Sequence, residues 1–141
     1  MKGHMPHLSE TIELDPSRLS GLFNLQKNLN SVIGGGLKSK DTKSLLNLVM
    51  AAQMELAEVV DRLDWKWWAK KKTDWDGVKS ELIDVLHFWL SMAIISGMDA
   101  KEVSERFKFK YELNLKRAKL GYKDGKYNVK NDPLYKPKKN V

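Results

Sequence analysis

The chain contains no cysteine. That absence excludes disulfides, thiolate nucleophiles, thiolate zinc sites and Fe–S clusters, and it fits a reducing, cytoplasmic setting. Long hydrophobic runs are also lacking. The longest, Leu82 to Ile95, has 14 residues and contains Asp84 and His87, too short and too polar to cross a bilayer. Met1-Lys2-Gly3-His4-Met5 lacks the apolar stretch of a signal peptide. No G-x-x-x-x-G-K-[ST] phosphate loop occurs, so Gly34-Gly35-Gly36 reads as a helix stop. Alternating strand patterns of useful length and internal repeats are missing too.

What is present is 141 residues, 42% of them hydrophobic, with 5 Trp, 4 Phe and 4 Tyr. That suits one domain with a real core and excludes global disorder. The formal charge of +7 is unevenly placed. Residues 1–100 hold 12 Lys/Arg and 13 Asp/Glu, whereas residues 101–141 hold 13 against 5. Such a basic block attracts phosphate or solubilises a tail.

The apolar periodicity predicts an all-α bundle of four to five helices with short connections. Residues 1–16 form an irregular lead-in that ends at Asp15-Pro16. A helical domain covers 17–121, and a basic extended tail covers 122–141. Ser17 caps a first helix whose apolar side is Leu19, Leu22, Phe23, Leu25, Leu29 and Val32. Asp41 or Thr42 starts a second helix that runs to about Asp64. A Trp- and Lys-rich joint follows, Trp65-Lys66-Trp67-Trp68-Ala69-Lys70-Lys71-Lys72. Asp74 to Gly77 turns the chain into a third helix from about Val78 to Ser96, with Gly97 as its C-cap. A fourth runs from Asp99 to about Leu120 and stops at Gly121.

The third helix is apolar nearly all round, the mark of a buried helix, yet it carries Glu81 and Asp84 one turn apart. Buried carboxylates are rare unless paired or metal-bound. The second helix repeats the feature with Glu55 and Glu58. Residues three apart on a helix have Cβ atoms roughly 5–6 Å from each other. Two such pairs on facing helices bring four carboxylates together. Like charges about 4 Å apart repel by roughly 4 kcal/mol at an effective dielectric of about 20. A divalent cation resolves that conflict, and hard oxygen ligands select Mg²⁺, Mn²⁺ or Ca²⁺. Other readings stay open: Glu58 could instead pair with Arg62 at i+4, and His87 could join the metal or be a structural residue. Di-iron bundles use Glu-x-x-His pairs, which this chain lacks, so Mg²⁺ is favoured, with Mn²⁺ a substitute. A Mg²⁺ site beside a basic strip suggests a polyphosphate substrate.

Glu55-x-x-Glu58, a spacer of 22 residues, then Glu81-x-x-Asp84 is similar to the signature of the all-α NTP pyrophosphatases. That group includes the MazG-like enzymes and the dimeric dUTPases. The flanks resemble the dimeric dUTPase branch. Gln26-Lys27-Asn28-Leu29-Asn30 resembles its Q-x-x-L-N motif, and Trp65-Lys66-Trp67-Trp68 its F-K-x-W stretch. Glu81 to Phe88 resembles its E-x-x-D-x-L-H-F helix, and Lys110 to Tyr127 its last motif. The likeness covers about residues 19–127. Trp65, Trp67 and Phe107 depart from the residues usual there.

The resemblance implies a Mg²⁺-dependent homodimer that hydrolyses dUTP to dUMP and pyrophosphate, with dCTP or another nucleotide as the alternative substrate. It implies that Glu55, Glu58, Glu81 and Asp84 ligate the metal. Glu55 would also be the general base that takes a proton from water. Gln26 and Asn30 would contact base and deoxyribose, Trp68 would wall the base pocket, and Lys66 would reach phosphate. Lys110, Asn114, Arg117 and Tyr122 would clamp the phosphate chain. No membrane and no stable nucleic-acid partner are expected. The rival readings are a nucleic-acid-binding helical module, using the basic C-terminal third, and a helical bundle that docks on an acidic protein.

Overall fold

The computed structural model describes residues 19–34, 37–122, 124–132 and 134. The predicted lead-in and the Ser17 cap lie outside those residues. Four helices are present: α1 (Leu19–Gly34), α2 (Thr42–Arg62), α3 (Trp75–Ile95) and α4 (Ala100–Lys119), followed by a 3₁₀ turn at Val129–Asn131. No strand occurs among the described residues. The all-α expectation holds. The chain divides into two compact units, one up to Ala100 and one from Lys101 onward.

In the first unit α3 packs against both α2 and α1. The start of α2 is fixed by Asp41, whose side chain accepts the Ser44 N–H at 2.9 Å. Its inward face follows a period of about 3.6: Leu45, Leu48, Val49, Ala52, Glu55, Val59 and Arg62 are buried or half-buried. Both ends of α2 are tied to α3. The Lys40 N–H donates to the Ile95 carbonyl at 2.7 Å, and the Asp74 N–H donates to the Arg62 carbonyl at 2.9 Å. These two links make α2 and α3 antiparallel neighbours. Phe23, Ala52, Val78, Leu90, Ala93 and Ile95 form the buried apolar core of this unit.

Three sequence readings differ from the structure. First, α3 begins at Trp75, so Asp74 to Gly77 is its first turn and not a separate one. Asp74 caps it by accepting the Gly77 N–H at 3.0 Å. Second, α3 is not buried all round. Leu82, Ile83 and Trp89 are exposed, because α1 and α2 cover only part of its circumference. Third, the described residues after Tyr122 do not run straight. Gly125 turns the chain at φ 68°, and Asp132 binds Arg117 at 2.7 Å and the Tyr127 hydroxyl. The C-terminal stops at Gly97 and Gly121 are as predicted, with φ of 82° and 84°.

The joint between α2 and α3 is a closed loop. The Asp64 N–H donates to Thr73 Oγ1 at 3.2 Å, and Lys71 N–H and Nζ reach Asp64 Oδ1 and the Asp61 carbonyl at 3.3 and 2.9 Å. With the Arg62–Asp74 backbone link at its base, the segment is a compact Ω-type loop. Trp65 and Trp67 each meet Trp68 edge-to-face, at centroid distances of 5.6 and 5.4 Å. Lys66 Nζ lies 5.6 Å from the Trp65 ring centre.

Candidate metal and nucleotide site

The antiparallel α2–α3 pair brings acids together. One carboxylate oxygen from each of Glu55, Glu81 and Asp84 lies within 4.8 Å of the other two. Glu81 is 5% exposed, Glu55 is half-buried and Asp84 is exposed. Burial pushes the Glu55 carboxyl above the usual carboxylate range, reinforced by the charges of Glu58, Asp84 and Glu81. The three oxygens form a hard donor set of the kind that holds a divalent cation. Glu58 is not among them. It is exposed one turn further along α2 and shares an open cleft with Asp61, Arg62 and Lys71.

Arg62 does not pair with Glu58. Its Nε and Nη2 donate to Glu81 Oε1 at 2.9 and 2.6 Å, and its Nη1 donates to Asp74 Oδ2 at 3.3 Å. The sequence reading weighed Arg62 only at i+4 from Glu58. The partner it takes is set by tertiary packing across the loop and has no local signal.

A second feature lies along the same stripe of α3. Gln26, 4% exposed, reaches across from α1. Its Nε2 donates to Asn30 Oδ1 at 2.9 Å and to Ser91 Oγ at 3.0 Å. Ser91 Oγ donates to Asn30 Oδ1 at 3.1 Å. His87 Nδ1 stands 2.6 Å from Gln26 Oε1. An amide oxygen only accepts, so Nδ1 carries the proton. This network forms the polar wall of a cavity of about 310 Å³, otherwise lined by apolar side chains that include Leu29, Leu48 and Phe88. An apolar cavity with a few fixed polar groups is the usual form of a small-molecule site. Glu81, Asp84, His87 and Ser91 follow one another at spacings of three, three and four, so acids and cavity share one side of α3. From Asp84 to Ser91 the helix rises about 10 Å, a suitable span from a phosphate end to a base end.

A model of the dUTPase family matches residues 18–105. The chain belongs to the dUTPase family. Comparison with curated proteins and with solved structures returned no match. The dUTPase is accordingly an acid-anhydride hydrolase, a nucleoside triphosphate pyrophosphohydrolase that cleaves dUTP to dUMP and pyrophosphate. Such enzymes depend on a divalent metal, and the Glu55–Glu81–Asp84 cluster fits one.

Of the remaining predicted residues, Gln26 and Asn30 stand in the cavity wall. Trp68 and Lys66 are exposed on the Ω-type loop and do not line that cavity. Lys110, Asn114, Arg117 and Tyr122 lie in the second unit, beyond the family match. Lys110, Asn114 and Arg117 follow at i, i+4 and i+7 along one stripe of α4. Arg117 is held by Asp132 through two hydrogen bonds of 2.7 and 3.3 Å. That pairing, with the Tyr127 hydroxyl, keeps the Asp132 carboxyl far below the usual carboxylate range. The sequence reading missed Ser91, although it sits at i+4 from His87 on a helix already marked as functional.

Proposed function

We propose that the dUTPase uses Mg²⁺ held by Glu55, Glu81 and Asp84, with Glu58 beside them, and that it reads the base in the Gln26–Asn30–His87–Ser91 cavity. One observation carries this: one carboxylate oxygen from each of Glu55, Glu81 and Asp84 converges where α2 and α3 face each other. When bound, the metal supplies charge stabilisation on phosphate and a more acidic water. The residues of the chain do the rest. Glu55, whose carboxyl is pushed upward by burial and by its acidic neighbours, is the proposed proton acceptor. The Gln26 amide, pinned by three partners, holds Asn30, Ser91 and His87 in one fixed donor–acceptor pattern. Such a pattern rejects a base of the wrong edge, because mismatched buried polar groups lose their bonds. Lys66, Trp68, Lys110, Asn114, Arg117 and Tyr122 are proposed to contact the nucleotide, with Arg117 exchanging Asp132 for phosphate.

We further propose that the working form is a homodimer. Leu46, Met50 and Met54 form an exposed apolar ridge at i, i+4 and i+8 on α2. Leu82 and Ile83 of α3 are exposed as well. Exposed apolar residues clustered in this way suit an interface.

The test is hydrolysis of each common dNTP and NTP with Mg²⁺, with products separated by chromatography. The expected result is dUMP and pyrophosphate formed fastest from dUTP. Glu81→Gln and Asp84→Asn should each lower kcat/KM by roughly 100-fold or more, since several kcal/mol of charge stabilisation are at stake. Faster release of pyrophosphate from dCTP would move the base assignment. Variants as active as the parent would remove the acids from the site.

A further inference from the structure

We infer that Arg62 is a positioning residue for the metal site. It grips Glu81 by one carboxylate oxygen and leaves the other outside that pairing, and it does so from a slot that Gly77 keeps open. The inference rests on the metal reading above and assigns a residue that reading does not use.

The geometry is specific. Two N–H groups of one guanidinium, Nε at 2.9 Å and Nη2 at 2.6 Å, converge on the same atom, Glu81 Oε1. Oε2 takes no part in this pairing. The opposite edge of the guanidinium is fixed by Asp74 Oδ2 at 3.3 Å. Asp74 is itself fixed as the α3 N-cap, through the Gly77 N–H at 3.0 Å, and its own N–H is tied to the Arg62 carbonyl at 2.9 Å. The plane is thus held on both sides, and Glu81 cannot rotate without breaking two charge-assisted bonds.

The slot is the independent sign that the arrangement is built. A Cβ placed on Gly77 would overlap the Asp74 carboxylate and come within 2.8 Å of Arg62 Cδ. Gly77 sits inside a helix, where glycine costs stability relative to alanine. Here it lets the arginine stem pass beneath the first turn of α3 toward Glu81. Partners that orient metal ligands typically contribute 10–100-fold to metal affinity. Arg62 is suited to this in a way lysine is not, because only the guanidinium offers a rigid fork of donors.

The full chain is titrated with Mn²⁺ alone, and the free ion is read by electron paramagnetic resonance. Circular dichroism in chelator confirms that each variant is folded at the temperature used. Arg62→Lys, Arg62→Gln and Gly77→Ala are each expected to bind Mn²⁺ 10–100-fold more weakly than the parent, with lysine giving no rescue. If the Arg62 variants do not fold, Gly77→Ala, which keeps every charge, carries the test alone. Wild-type affinity in Arg62→Lys, or tighter binding in Arg62→Gln, would show that Arg62 is only a counter-charge and overturn the inference. A parent protein that binds no Mn²⁺ would overturn the metal reading, and this inference with it.

Discussion

At the scale of single residues, Glu55 makes the sharpest statement about pH. Its carboxyl is pushed up in the folded protein by burial and by the charges of Glu58, Asp84 and Glu81. A raised carboxylate favours the protonated folded state. Its contribution to stability is therefore fully present below the unfolded value near 4.5 and is lost as pH rises through the folded value. In chelator, the parent should lose stability over that window relative to Glu55→Gln, and the two should converge below it. Paired urea melts across pH check this, and parallel curves would mean that Glu55 is not under electrostatic pressure. Saturating metal should flatten the difference, since binding to the folded state alone stabilises it. The opposite sign holds at Asp132. Arg117 and Tyr127 hold its carboxyl low, so its contribution is lost only as pH falls into the acid range.

At the scale of elements, the helices were legible because each carries its own punctuation. Asp41 starts α2 by capping Ser44, and Gly97 and Gly121 end α3 and α4 with positive φ. The start of α3 was misread because Gly77 looks like a turn residue. Its reason lies across the loop, in the Arg62 stem that needs its missing Cβ. That contact predicts the energetic sign of a substitution. On propensity alone Gly77→Ala would gain about 1 kcal/mol. The overlap with Asp74 and Arg62 should reverse this to a net loss of about 1–3 kcal/mol. A urea melt in chelator measures it, and a gain would mean that the first turn yields freely. The acids were legible for the same reason as the helices. Glu-x-x-Glu and Glu-x-x-Asp repeat at one-turn spacing in apolar surroundings. The Gln26–Ser91 and Arg62–Glu81 bonds join residues 65 and 19 positions apart, and no local pattern announces such pairs.

At the scale of the whole molecule, the apolar ridge of α2 and the open side of α3 govern solution behaviour. If they meet a second copy, the parent should elute as a dimer in light-scattering chromatography, and Met50→Glu should shift it to monomer while circular dichroism stays helical. A monomeric parent at high concentration would sink the homodimer reading. The Ω-type loop has a whole-molecule consequence of another kind, in optics. Trp65, Trp67 and Trp68 stand on it, Trp75 follows directly at the start of α3, and all four are exposed, Trp67 by 89%. Even Trp89, the remaining one of the 5, is exposed on α3. Intrinsic emission from the native state will therefore be red-shifted, close to that of a denatured chain. A fluorescence melt will report the loop and its neighbours, while far-ultraviolet dichroism reports the helices. Mismatched midpoints from the two probes would therefore mean that the loop opens in a step separate from the melting of the helices.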